Sequence, residues 1–414
     1  MRFYILYIVC FVAFVGVHYM EGLPPVGGFS MAQLWKIPIL MYLLFICMTS
    51  RRKYAFEKSA YYYSLESFLC PAIITNPLSI IIFASKQLPL VLFFGFIKKK
   101  LGDDINILER ILFTLAQFIC LTSLLTLTGM VEPIRGFMSA EAFIEDMNYY
   151  SSLFGAPHAA SSYFFISVMV LITGFVLKRF RSLKSKFFNG TLLGVALLSL
   201  FEAYVRTGWL MLIVALISYF DIRQLSYKKG FKYLLAILIC SVGIIYLYQT
   251  NDTFRVRISG ERIYGSSSTG TVDTDGSGRR TFWANGVEQW SKNDIYGLFF
   301  GKGYDAVLDD NYHTSGLRVF SHNQFVDSLA QYGIISLILL LLFYMNLYKF
   351  IKVHGRYSPY YPLCRSVFFA TIVFSFFQNE MYFNYAVIFA IILCLMQATN
   401  KRFCSNISNK HYLV

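Results

Sequence analysis

The stretch "SHNQFVDSLAQYGIISLILLLLFYM", residues 321–345, passes from polar to wholly apolar without a break. It opens with His322, Asn323, Gln324 and Asp327, and after Asp327 it carries no charge. As a helix, an apolar run of this length crosses about 30 Å of hydrocarbon. The polar residues then stand at the mouth of a membrane span, with His322 at the rim.

Runs of the same kind recur along the chain. Its 414 residues are 56% hydrophobic and 14% charged, with a mean hydropathy of +0.53, whereas roughly one quarter of the residues in soluble domains are charged. The expected fold is an all-α polytopic membrane protein of about twelve transmembrane helices. They fall near 3–20, 34–50, 61–77, 80–97, 106–130, 163–178, 187–205, 207–220, 231–248, 325–348, 361–378 and 382–398. The third and fourth are the least regular, because "CPAIITNPLSIIIFASKQLPL" (70–90) holds three prolines and a lysine. A broken or re-entrant pair there would lower the count to eleven. The first run has membrane length and no small-residue cleavage pattern after it, so a retained helix is expected rather than a signal peptide.

The net charge of +14 does not point to nucleic acid. The basic residues lie in short loop clusters, "RRK" (51–53), "KKK" (98–100), "KRFRSLKSK" (178–186) and "YKKGFK" (227–232). That is the positive-inside pattern. Placing these clusters in the cytoplasm puts both termini there too. It organises the chain as an N-terminal helical part (1–248) with an outer loop at about 131–162, a large outer loop (249–321) and a C-terminal helical part with its tail (322–414). The eight cysteines lie in the expected spans or near their cytoplasmic ends, so no disulfide framework is expected.

The loop 249–321 holds eight Lys or Arg and nine Asp or Glu, so its arginines are not a general basic patch. A Gly, Ser, Thr and Asp-rich lead-in (251–278) reads as flexible. In "SGRRTFWANGVEQWSK" (277–292), Ser277 is a helix-capping residue, and Trp283, Val287 and Trp290 share one face, which suggests a helix lying on the outer bilayer surface. "GLFFGKGYDAV" (297–307) reads as turn-rich.

Arg206, in "LLSLFEAYVRTGWLMLIVALISYF" (197–220), puts a permanent charge between two apolar runs. At the bilayer centre such a charge costs roughly 2.5–3.5 kcal/mol, less near the surface. Two readings stand, a snorkelling residue paired with Glu202 or an anion clamp whose planar fork of donors suits phosphate. Arg279 and Arg280 open the surface helix, where free N–H groups also attract phosphate; a solvated helix end is the other reading. His322 is either structural or a proton acceptor at neutral pH, with Asp327 or a neutral neighbour as its partner and Asn323 orienting rather than reacting. His18, His158 and His313 show no partner pattern, and His354 and His411 fall on the cytoplasmic side. Asp273 and Asp275 in "VDTDG" have the spacing of a metal-holding carboxylate pair but sit in the flexible lead-in, so no metal site is expected.

Three of these pieces, in this order, resemble motifs of the O-antigen polymerase and ligase superfamily of bacterial membrane glycosyltransferases. "YVRTGWLML" resembles "SRxxxL", although Val205 stands where the family often has serine. "SGRRTFW" resembles "SGRxxxW" and favours Arg279 over Arg280. "GKGYDAV…SHNQFVDSLAQYGIISLILL" resembles "GxGxxx…HNxFLxxLxxxGxxGxxxx", although Ile335–Ser336 departs from the usual second small residue. The resemblance covers roughly residues 187–350. It implies a GT-C-like fold in the inner membrane and a periplasmic site, with inverting, metal-independent transfer of a glycan from undecaprenyl diphosphate. Arg206, Arg279 and Arg280 would hold the diphosphate, His322 would take the proton of the attacking hydroxyl, and Asn323 would orient. No cofactor is implied. The expected partners are undecaprenyl-diphosphate-linked oligosaccharide, membrane lipids and a candidate polysaccharide chain-length regulator, with no nucleic acid.

A polymerase is favoured over a ligase because polymerases serve many different repeat units and vary more widely. A ligase transferring to lipid A core remains the alternative. A lipid-linked oligosaccharide flippase would place ionisable groups deep in several spans, and a scaffold would tolerate loss of Arg206 and His322.

Overall fold

The computed structural model describes residues 31–48, 53–132, 150–154, 157–203, 205–220, 246, 248–250, 279–315, 318–378 and 381–411. The expected span 3–20, most of 231–248, the lead-in 251–278 with Asp273, Asp275 and Ser277, and most of the 131–162 loop lie outside these residues. All longer elements among the described residues are helical. In chain order they are α1 (Met31–Met48), α2 (Ala55–Glu66), α3 (Ala72–Thr75), α4 (Pro77–Lys86), α5 (Pro89–Leu101), α6 (Ile105–Leu127), α7 (Pro157–Val176) and α8 (Leu183–Glu202). Then come α9 (Arg206–Phe220), α10 (Arg279–Ser291), α11 (Ile295–Phe300), α12 (Tyr304–Ser315), α13 (Gln324–Gly355), α14 (Tyr361–Phe377) and α15 (Phe383–His411).

Four of the described helices are long and apolar enough to cross a membrane: α6, α7, α13 and the stretch Phe383–Ser405 of α15. They match the expected spans at 106–130, 163–178, 325–348 and 382–398. A fifth is formed if Pro77–Ala84 and Pro89–Leu101 count as one span bent by 48°. Leu34–Met48, α9 and α14 are apolar but shorter; the 15 residues of α9 reach only about 22 Å. The described residues thus contain four or five full-length spans, and two of the twelve expected ones, 3–20 and most of 231–248, fall outside them.

The expected span 61–77 is not one helix. Helix α2 stops at Glu66, a single 3₁₀ turn covers Ser67–Leu69, and the chain restarts at Ala72 and again at Pro77. Proline lacks the N–H that an interior helical position needs but suits a first turn. Pro77 and Pro89 each open a new helix, and the Asn76 side chain accepts from Ser79 N at 3.2 Å to cap α4.

The centre of the bundle is α7 and α15, whose apolar stretches are almost wholly buried. Helix α7 packs against α6, α8 and α9; α15 packs against α5 and α6; α13 lies along α2; and α9 pairs closely with α14. Arg365, near the start of α14, donates to the Ser218 carbonyl near the end of α9. The two helices are therefore antiparallel, and Arg206 at the start of α9 lies at the same end of the bundle as Phe377.

Helix α13 departs from the expected unbroken run. Gly333 has φ 80° and ψ −175° inside it, and the helix kinks there. A Cβ at Gly333 would sit 2.2 Å from the Phe299 carbonyl oxygen, and one at Gly301 (φ 72°) would sit 2.1 Å from that of Gln331. Gly303 N donates to Gln331 O at 2.8 Å. The segment Gly301–Gly303 joining α11 to α12 is docked, backbone to backbone, into the kink. Only glycine permits both the left-handed conformation and this approach.

Helix α10 lies on the first turns of α13, with Phe282, Asn285 and Gly286 buried and Gly286 tight against Val326. The two tryptophans of the expected surface face are half-buried, and each indole N–H has a backbone partner: Trp283 Nε1 donates to Ser321 O (2.8 Å) and Trp290 Nε1 to Leu298 O (3.0 Å). A buried indole N–H needs such a partner.

Gly333→Ala is expected to destabilise the detergent-purified protein by about 2 kcal/mol or more. Gly194→Ala, in open space on α8, should be neutral or stabilising by up to about 1 kcal/mol. Equal melting temperatures for Gly333→Ala and the parent would remove the kink as a constraint.

Candidate active site

The turn before α13 is built from its own polar side chains. Asn323 Oδ1 accepts from Phe325 N (3.0 Å) and Val326 N (3.2 Å), a helix cap worth about 1 kcal/mol. Ser321 donates to Asp327 Oδ1 through its N (3.2 Å) and its Oγ (2.7 Å), and its carbonyl takes the Trp283 indole. Between these fixed points His322 is held at φ 53°, a left-handed conformation uncommon for a residue with a Cβ. Strain of this kind persists where the surroundings over-determine it, and it clusters at functional sites. Asp327, a proposed partner for the histidine, has Oδ1 on Ser321 instead. Asn323 orients the turn that carries His322.

The second half of the site is the corner after α14, at Phe377 and Gln378. The Gln378 carbonyl accepts from Gln324 N at 3.1 Å, tying the corner to the start of α13. The Arg279 guanidinium, on the first residue of α10, lies over the Phe377 ring at 5.6 Å, and the Trp283 ring is 6.2 Å from the same phenyl. Gln378 Nε2 donates to His158 Nδ1 at 2.8 Å. Arg279, His322 and His158 thus gather at one corner.

Arg279 is half-buried and Arg280 exposed, so of the two expected arginines only the first is among the residues gathered at Phe377. Arg206 is the exposed first residue of α9. Two residues on, a Cβ at Gly208 would be 3.0 Å from Ser161 Cβ, and Ser161 Oγ donates to the His158 carbonyl at 2.9 Å. The first turn of α9 therefore lies against the first turn of α7, and Arg206 shares the end of the bundle that carries His158.

His158 is the residue that sequence reading passed over. Its signal was local: Pro157 opens a helix and the histidine follows at the mouth of the apolar run "AASSYFFISVMVLITGFV", as His322 does for α13. Its partner, Gln378, is 220 residues away.

Electrostatically, the corner sets a half-buried guanidinium beside an uncharged imidazole. Burial first, and then the Arg279 charge, push His322 from 6.5 down to about 4. Both causes disfavour the imidazolium, so the ring is uncharged at neutral pH and able to accept a proton. A bound anion beside Arg279 would offset that charge and raise the basicity of His322.

In the ligand-free protein, His322 should stay neutral well below pH 6.5 and take up its proton near pH 4. Histidine-labelled NMR, with His322→Gln to assign the signal, measures this; an ordinary value near 6.5 would contradict the burial and the Arg279 contact.

Residues 191–341 match the family model described as O-antigen ligase. That range includes Arg206, Arg279, Arg280, His322 and Asn323 and leaves His158 and Gln378 outside it. A search of curated proteins found no match. The match supports the O-antigen polymerase and ligase superfamily for this polytopic membrane protein.

Proposed function

We propose that this protein is an O-antigen polymerase of the inner membrane, acting on its periplasmic face. The observation that carries this reading is the meeting of Arg279 and a neutral His322 at the Phe377–Gln378 corner, at the end of the bundle where Arg206 begins α9. Arg206 and Arg279 bind the diphosphate of the undecaprenyl-linked growing glycan. His322 removes the proton from a sugar hydroxyl of a new lipid-linked repeat unit. The freed oxygen attacks the anomeric carbon of the donor as the bond from that carbon to the diphosphate oxygen breaks. The products are the elongated lipid-linked glycan, with inverted configuration at the new linkage, and undecaprenyl diphosphate. Its leaving charge is stabilised by the fixed guanidinium groups, which lets the reaction proceed without a metal. Electrostatic stabilisation of this type is worth more in a water-poor site than in solution. A chain-length regulator is a proposed partner.

The alternative reading is an O-antigen ligase, favoured by the matching family's description as O-antigen ligase. It uses the same diphosphate clamp and base with lipid A core as acceptor.

His322→Ala should lower turnover by about 10²–10⁴-fold, and Arg206→Ala and Arg279→Ala by about 10²-fold or more, at unchanged protein level. Arg280→Ala should have a small effect, and chelator none. Loss of activity in chelator with recovery on Mn²⁺ or Mg²⁺ would bring Asp273 and Asp275 into the mechanism. Deleting the gene in its own host and separating the lipopolysaccharide by gel distinguishes the readings. Core carrying a single repeat with no ladder identifies the polymerase. Bare core with polymer accumulating on undecaprenyl diphosphate identifies the ligase, and an unchanged ladder defeats both.

A further inference from the structure

We infer that His158 is a further substrate-binding residue of this site, a neutral hydrogen-bond donor that Gln378 aims at the donor's diphosphate. The inference rests on the proposed function and extends it to a helix outside the stretch that matches the family model.

The argument starts from the two ring nitrogens. Gln378 Nε2 donates to Nδ1, so Nδ1 is the acceptor and a neutral ring carries its proton on Nε2. Among the described residues Gln378 is the hydrogen-bond partner of the ring, which leaves Nε2–H for a ligand. His322 and Arg279 are the ionisable groups that act on this ring electrostatically. A second positive charge beside Arg279 is disfavoured there, whereas a neutral N–H is not. The natural acceptor for such a donor next to a half-buried guanidinium is an anionic oxygen.

The backbone around the histidine is equally specific. Pro157 opens α7, Ser161 Oγ returns to the His158 carbonyl, and Gly208 brings the Arg206 helix onto Ser161. Gln378 connects through its own carbonyl to Gln324, two residues after His322. One side chain and one carbonyl of Gln378 thereby set both histidines in relation to each other. A glutamine does this without adding charge, so the corner stays electropositive for a diphosphate.

The competing interpretation is a brace, in which only the Nδ1 contact matters and holds α7 to the corner. Amide substitutions separate the two. Asparagine places its amide near the Nδ1 position and keeps the brace; glutamine reaches the Nε2 position and keeps the donor. The experiment titrates undecaprenyl diphosphate into the detergent-purified full chain and reads binding from tryptophan fluorescence, since Trp283 adjoins the corner, with undecaprenol as the control lipid.

Expected is a Kd raised about tenfold in His158→Asn, the loss of one hydrogen bond to a charged group, with an unchanged melting temperature. His158→Gln should bind within about threefold of the parent. Parent-like binding by His158→Asn, or equal weakening in both variants, overturns the donor role while leaving the proposed function standing. If the parent protein does not prefer undecaprenyl diphosphate to undecaprenol, or if Arg279→Ala leaves that preference intact, the diphosphate reading of the corner fails and this inference falls with it.

Discussion

The site depends on where the chain turns after α14. Phe377 ends that helix and Gln378 leaves it in extended conformation, so one residue offers a ring and the next offers a carbonyl and a carboxamide to the surrounding helices. The ring takes Arg279 and Trp283; the carbonyl takes the first N–H of α13 and the carboxamide takes His158. Elements far apart in the chain are held by two adjacent residues. A shift of α14 along its axis would move the surroundings of Arg279, His158 and the start of α13 together.

Precision at that corner needs a rigid neighbour, and α13 supplies it through a break rather than through regularity. The kink at Gly333 separates the first turns of α13, which carry the site, from the long apolar part that crosses the membrane. The segment Gly301–Gly303 fills the break, and Asn76 Nδ2 donates to Asp305 Oδ2 at 2.5 Å, tying α12 to the start of α4. Trp290 closes α10 onto α11. Of the backbone groups freed at the kink, the Gln331 carbonyl is met by Gly303 N.

Much of this was legible in local pattern. Apolar length marked α6, α7, α13 and α15; the prolines at 71, 77 and 89 marked the broken region between α2 and α5; and polar residues at the mouth of an apolar run marked His322. The preference for Arg279 over Arg280 came from a resemblance, and the structure places only Arg279 over Phe377. The tryptophans were legible only in part, because aromatic residues near a span suit a lipid interface and a protein interior equally well, and here both rings are half-buried. What separates the two is the partner of the indole N–H, and a sequence does not display it. His158 stayed hidden for the same reason.

The sequence by itself determined a helical membrane protein, the positions of its longest spans and the residue types able to clamp an anion and accept a proton. These follow from short-range physics: hydrocarbon thickness, helix geometry, proline's missing N–H and the fixed charge of arginine. Tertiary structure alone decided that Arg279 lies over Phe377, that His158 joins His322, and that α13 bends at Gly333 to receive Gly301–Gly303. Each of these rests on a contact between residues tens to hundreds of positions apart, whose geometry is set by how whole helices pack and not by any local signal.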